Sequence, residues 1–258
     1  MKRQLITRLG AACVALLFAL TSVAYAQTPP AQQSYEVSIT QVKPGMGGEY
    51  VDLQKNEMVP ALQKGGVKQR AVWTTATFGE GGEYVFLRPI ESLAQFDNPH
   101  PIVKALGQEG AAALVAKRAR LISSSRNVLI TARPDLGFAP KAGYVPKLGF
   151  GGITSVTPGR TAEYEKYVKD LSATVAKTNA KGVLVGKAGL GGDPNSYRLM
   201  VLFDNWADLE KFQAAYAKAS AETKLTPAAA GVVAHTEWRV YRYVPELSIT
   251  STPQRATK

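Results

Sequence analysis

The sequence predicts an α+β chain made of two tandem copies of one β-α-β-β-α-β unit. Three observations predict it. The stretch Val42-Lys-Pro-Gly-Met-Gly-Gly-Glu-Tyr50 returns as Val156-Thr-Pro-Gly-Arg-Thr-Ala-Glu-Tyr164, with Val, Pro, Gly, Glu and Tyr in the same places. The closing Pro134-Asp-Leu136 returns as Pro245-Glu-Leu247 at nearly the same spacing. Between these marks, segments of alternating and of helical hydrophobic period follow one another in the same order twice. The spacing is that of a whole domain, far beyond the roughly 20–50 residues of a solenoid repeat.

Residues 1–26 read as an export signal: Lys2, Arg3 and Arg8 precede an apolar run from Leu9 to Val23, and Ala24-Tyr-Ala26 is an A-x-A cleavage site. A periplasmic or secreted location is therefore expected. Cys13, the single cysteine, lies inside this segment. The mature chain then has no thiol, which excludes disulfides, zinc–thiolate sites and cysteine nucleophiles. No second long apolar stretch follows, so no membrane span is expected after cleavage. The formal net charge is +11, but the basic residues are scattered rather than gathered into a run. Nucleic acid is not an expected partner.

After a polar, Pro-containing linker (27–34), repeat one spans residues 35–136. Tyr35 to Val42 alternates with a period of two, as a half-buried strand does. Pro44 to Gly48 is a turn, and the helix after it stops at Gly65-Gly66, with Pro60 expected to kink or shorten it. Val67 to Phe78 and Glu83 to Arg88 read as strands joined by Gly79-Glu-Gly-Gly82. Ser92-Leu-Ala-Gln95 has the form of a capping box, Asn98-Pro-His-Pro101 interrupts the helix, and Ile102 to Leu121 resumes it. Arg126 to Ala132 is the fourth strand.

A linker (137–146) leads to repeat two, residues 147–247. Leu148 to Val156 is a strand whose Gly149, Gly151 and Gly152 leave little side-chain bulk. Tyr164, Tyr167, Val168, Leu171 and Val175 form one apolar helical face. Val183 to Leu190 and Tyr197 to Phe203 are strands, and Asn205 caps a helix carrying Trp206, Leu209, Phe212 and Tyr216 on one face. An Ala-rich piece from Pro227 to Ala234 precedes the last strand, Thr236 to Tyr243. Residues 248–258 read as a disordered tail.

This order is that of the ferredoxin-like split βαβ unit. Two such sheets can cover each other within one chain, as an intrachain dimeric α+β barrel with helices outside. On the element order and the paired V-x-P-G-x-x-x-E-Y stretches, the sequence resembles the dimeric α+β barrel superfamily in a tandem-repeat form. It is nearest in style to NIPSNAP-like and antibiotic-biosynthesis-monooxygenase-like proteins. The resemblance implies a small apolar or aromatic ligand held between the two sheets, with homo-oligomers as further expected partners. Alternatives are a cofactor-free monooxygenase-like oxidoreductase and a non-catalytic envelope or stress protein.

The superfamily also holds haem proteins of the chlorite-dismutase type, which need an axial histidine on a helix. His100 lies in a proline-flanked loop and His235 just before the last strand, so no cofactor is expected and haem is the lesser alternative. Two histidines so far apart make no metal site. His235, Glu237, Arg239 and Tyr241 alternate and so share one face, and Arg126 is the repeat-one equivalent of Glu237. His235, Glu237 and Arg126 are the candidate catalytic residues for proton transfer. Trp73, Tyr84, Tyr197, Trp238 and Tyr241 are the candidate ligand-binding aromatics.

Overall fold

In the computed structural model, residues 33–223, 225 and 229–250 are described, so the export segment, most of the linker after it and the end of the tail lie outside the described residues. Repeat one runs β1 (Ser34–Val42), α1 (Gly47–Leu53), α2 (Val59–Lys64), β2 (Ala71–Thr75), β3 (Glu83–Ile90), α3 (Pro101–Leu121) and β4 (Ile122–Ala132). Repeat two runs β5 (Leu148–Val156), α4 (Thr161–Val175), β6 (Gly182–Ala188), β7 (Ser196–Phe203), α5 (Trp206–Thr223) and β8 (Val233–Tyr243). The strands close into an antiparallel barrel in the order β1-β3-β2-β8-β5-β7-β6-β4. Each repeat supplies four adjacent strands, and the pairings β2–β8 and β4–β6 join the halves. Every edge strand of one half is thereby paired by the other, which removes the exposed edges a lone sheet would carry.

The repeated nine-residue stretch has the same physical basis in both halves. Val42 and Val156 end a strand at a bulge and are buried. Proline then sets the bend, and Gly45 and Gly159 take φ of 80° and 82°, where a side chain would be strained. Glutamate sits in the first turn of the helix, favourable to its dipole. The tyrosine pins that helix to the sheet: Tyr50 packs on Tyr84 with centroids 5.0 Å apart, and Tyr164 on Tyr197 at 4.8 Å.

Several boundaries differ from the sequence expectation. Pro60 neither ends nor sharply breaks its helix. A π-helical stretch, Gln54–Met58, precedes it and absorbs the missing N–H and the ring's bulk. Strand β2 is shorter than Val67 to Phe78, because Arg70 pairs with Ile249 instead of a sheet neighbour. Ser248 and Ile249, expected in the tail, are therefore ordered. Ile249 is buried, and the Ser248 hydroxyl accepts from the Val72 amide at 3.0 Å. Strand β8 begins at Val233, so His235 lies within it rather than before it. Asn205 caps α5 as expected, accepting from the Asp208 amide at 2.9 Å.

The β5 glycines serve close strand approach. A Cβ on Gly152 would lie 2.3 Å from the Glu237 carbonyl oxygen, and one on Gly151 2.4 Å from that of Leu199. Gly152→Ala must push β8 away and is expected to cost about 1–3 kcal/mol in urea unfolding. Gly48→Ala, on an open helical surface with nothing within 4 Å, is expected to stabilise by about 0.5–1 kcal/mol.

Candidate functional site

The space between the two sheets is filled. Val37, Ile39, Trp73, Val85, Val128, Ile130, Ala188, Leu202 and Tyr241 form one buried cluster to which seven of the eight strands contribute. Strand β5 contributes none because its inward positions at this depth are Gly149 and Gly151. The room beside Gly149 is taken by Met200 and Trp73. A ligand between the sheets was the sequence expectation; side chains from seven converging strands occupy the middle of that space instead.

At one end of the barrel this packing gives way to charge. Glu83, buried on β3, accepts from Arg239 of β8 and, at 3.3 Å, from the Tyr241 hydroxyl. Arg239 also donates to Glu237 at 2.7 Å. Burial opposes the charge on Arg239, but its bonds to Glu83 and Glu237 outweigh that and raise its pKa. Burial likewise pushes the Tyr241 hydroxyl up, to about 12, with Glu83 adding to the effect. The Arg239 bond holds Glu237 below the usual carboxylate range, which makes it a weak base. His235, Glu237 and Arg126 are exposed at this mouth, on the same inward-facing register as Tyr241.

The cavities lie on the other side of the sheet, beneath the helices. In repeat one a cavity of about 380 Å³ opens between β1, β3 and β4 and the helices α2 and α3. That volume falls within the range of small-molecule sites, about 300–1,000 Å³. Its walls are mostly apolar: Met58, Leu62, Phe86, Ile102, Val103, Ala111 and Val115. Three arginines and one glutamate stand among them. Arg88 is held by Glu36 at 2.6 Å. Among the described residues Arg118 has only neutral partners, donating to Thr40 at 2.8 Å and Ser125 at 3.0 Å.

Arg70 is the anomaly. It is 6% exposed, it donates through Nη2 to the Leu247 carbonyl at 2.7 Å, and its Nε has no partner. Its guanidinium sits 5.0 Å above the Phe86 ring. No carboxylate pairs with it among the described residues. Burial pulls its pKa down to about 10, which still leaves it charged at neutral pH. Gln54, 1% exposed on the π-helical stretch, also lines the cavity and has an unpartnered Oε1. Buried polar atoms without partners are rare in folded chains, and two at one cavity wall single it out as the candidate site.

Of the five aromatic candidates, Trp238 alone lines a cavity described here, one in repeat two. Trp73 and Tyr241 belong to the barrel interior, whereas Tyr84 and Tyr197 are the packing partners of the repeated tyrosines. The Tyr197 hydroxyl donates to Glu165 at 2.6 Å. Sequence reading missed Gln54, Arg70, Arg88 and Arg118. The available signal was faint: Gln54 interrupts the apolar helical stripe of Tyr50, Leu53 and Met58, and Arg70 shares a strand face with Val72.

His100 was placed in a loop and lies at the N-cap of α3, on the cavity wall. Its Nδ1 accepts from the Ile102 amide at 3.2 Å, which puts the proton of the neutral ring on Nε2. Burial and the nearby Arg88 lower its pKa and so favour that neutral form. An axial haem ligand needs the reverse, with one nitrogen donating to the protein and the other bare for iron. His235 stands exposed on a strand at the barrel mouth. Neither histidine fits haem. Among the described residues no cluster of three or more His, Cys, Asp or Glu side chains is placed to hold a metal.

No protein-family profile matches the chain. No curated protein matches it either. Solved structures do. An anthrone oxidase-like protein superimposes with a TM-score of 0.61 at 12% identity, covering 89% of this chain and 98% of that one. A candidate monooxygenase from Lactobacillus acidophilus NCFM gives 0.56 at 12% identity, over 85% and 97% of the two chains. A mutant chlorite dismutase from Candidatus Nitrospira defluvii gives 0.53 at 12% identity, over 83% and 92%. At such identities the likeness establishes architecture rather than chemistry. The chain has the dimeric α+β barrel fold, with both halves of the barrel in one polypeptide.

Proposed function

We propose that this is an exported small-molecule-binding protein whose site is the cavity of repeat one, and whose ligand is an anion with an apolar body. The observation that carries the proposal is Arg70, a buried cation at the wall of a mostly apolar cavity, with no counter-ion among the described residues. An uncompensated buried charge costs several kcal/mol, so its presence is best explained by a partner that arrives from outside. The ligand presents an acceptor to Arg70 and a hydrogen-bond donor to Gln54, as a hydroxylated carboxylate does. Export rests on the basic, apolar and A-x-A pattern of residues 1–26.

Native mass spectrometry of the mature protein, purified from its own periplasm, tests this reading. A retained acidic small molecule is expected; a clean apo mass, with no uptake from a panel of hydroxylated aromatic and aliphatic carboxylates, counts against it and favours a non-catalytic envelope protein. A cofactor-free oxygenase is the second reading, favoured by His100. Its neutral ring offers an Nε2 proton, and in the cavity that proton would stabilise a phenolate or enolate oxygen. Oxygen uptake with a bound substrate, lost in His100→Ala, separates the enzyme from the binder.

A further inference from the structure

Because the halves are copies, the space beneath the helices of repeat one has a counterpart in repeat two. A cavity of about 340 Å³ lies there, between β5, β6, β7 and β8 and the helices α4 and α5. The pairing registers show residue by residue how the two have diverged. Glu36 faces Arg88 across β1 and β3; the equivalent pair across β5 and β7 is Phe150 and Val201. Asn127, opposite Ser38, is replaced by Trp238, opposite Gly152. Deeper in the sheet the copies still agree. Thr40 and Ser125 share a hydrogen bond at 3.3 Å, as Thr154 and Thr236 do at 3.1 Å.

The Glu36–Arg88 ion pair and the Asn127 amide of the first cavity have therefore been exchanged for rings and a branched aliphatic at matching positions. Among the described residues no Lys, Arg, His, Asp or Glu lines the second cavity. Trp238 is 49% exposed and lies flat on Phe150, with centroids 4.9 Å apart and planes at 16°. Phe212 and Tyr216 of α5 stack at 5.6 Å and 21° on the helix side. Two stacked ring pairs thus border an uncharged space, with the Gln213 amide and the tyrosine hydroxyls as its polar groups.

We propose that repeat two holds an independent site for a neutral, flat aromatic molecule of one or two rings, so that the two repeats carry one cavity for an anion and one for an uncharged guest. An anion is disfavoured in the second because desolvating it there finds no cation in return. Ring stacking and apolar burial favour an uncharged guest.

The test titrates the mature protein with prodan, a neutral fluorophore built on naphthalene, and uses naphthalene sulfonate, the same ring pair with an anion attached, as competitor. Saturable binding of the neutral probe is expected, with little displacement by the sulfonate. Trp238→Ala is expected to weaken the probe at least tenfold. Phe150→Glu combined with Val201→Arg, which copies the ion pair of repeat one, is expected to abolish its binding. Trp238 is half exposed, so its variant keeps the test valid where the double variant fails to fold. Absence of saturable binding, equal displacement by the sulfonate, or full affinity in Trp238→Ala overturns the proposal. Because Arg70 lies in the other cavity, these outcomes are distinct from failure of the anion site.

Discussion

Arg70→Met is expected to weaken the binding of an acidic ligand by roughly ten- to a hundredfold without lowering the stability of the ligand-free protein. The two effects have one origin. In the empty cavity the Arg70 charge is buried with a single carbonyl bond and an unpartnered Nε, so it opposes folding. Methionine keeps much of the side chain's length and its contact with Phe86 while removing that penalty. Against this stands the Leu247 carbonyl, which loses its donor at a cost of about 1–3 kcal/mol. The opposing terms are of similar size, and the melting temperature is expected to hold or rise. Binding loses a charge-assisted hydrogen bond, about 1.5–3 kcal/mol, which gives the stated range in affinity. Isothermal titration and a thermal melt on the same sample measure both. A fall in melting temperature with unchanged affinity would show Arg70 to be only a strut to the Leu247 carbonyl.

Glu83→Leu is expected to destabilise the protein by about 3–5 kcal/mol, seen as a large shift of the urea midpoint. Glu83 is buried and joins β3 of one repeat to β8 of the other through Arg239, with the Tyr241 hydroxyl as a second donor. Removing it leaves Arg239 tied to Glu237, whose carboxylate is half exposed and contributes little. Arg198 makes matters worse: burial lowers its pKa, Arg126 and Arg239 add to the effect, and Glu83 is among the groups that offset it. A buried pair broken from one side costs more than the pair contributes. Adding Arg239→Met to Glu83→Leu is therefore expected to recover a large part of the loss.

The repeated stretch was legible because each of its features answers a local backbone need: a bulge, a proline bend, a left-handed glycine, a helix start and a tyrosine anchor. These needs act within nine residues, and two copies made them stand out. Alternation likewise placed His235, Glu237, Arg239 and Tyr241 on one face, and they do share it. Which face turns inward was not legible, since both sides of the sheet are buried, one by the opposite half and one by the helices. Nor was the filling of the barrel. That depends on how Trp73, Tyr241 and Leu202 meet from three separate strands. The cavity of repeat one depends on a π-helical stretch that only the structure reveals, made where Pro60 forces the helix to adapt. Arg70 gained its meaning from Ile249, which draws it out of the strand ladder and under the helices.

A crystal structure of the mature protein carrying its retained or soaked acidic ligand tests the central claim most directly. Density for the ligand is expected beneath α3, with its anionic group on Arg70 and a donor on Gln54. Density inside the barrel, against Trp73 and Tyr241, would contradict it.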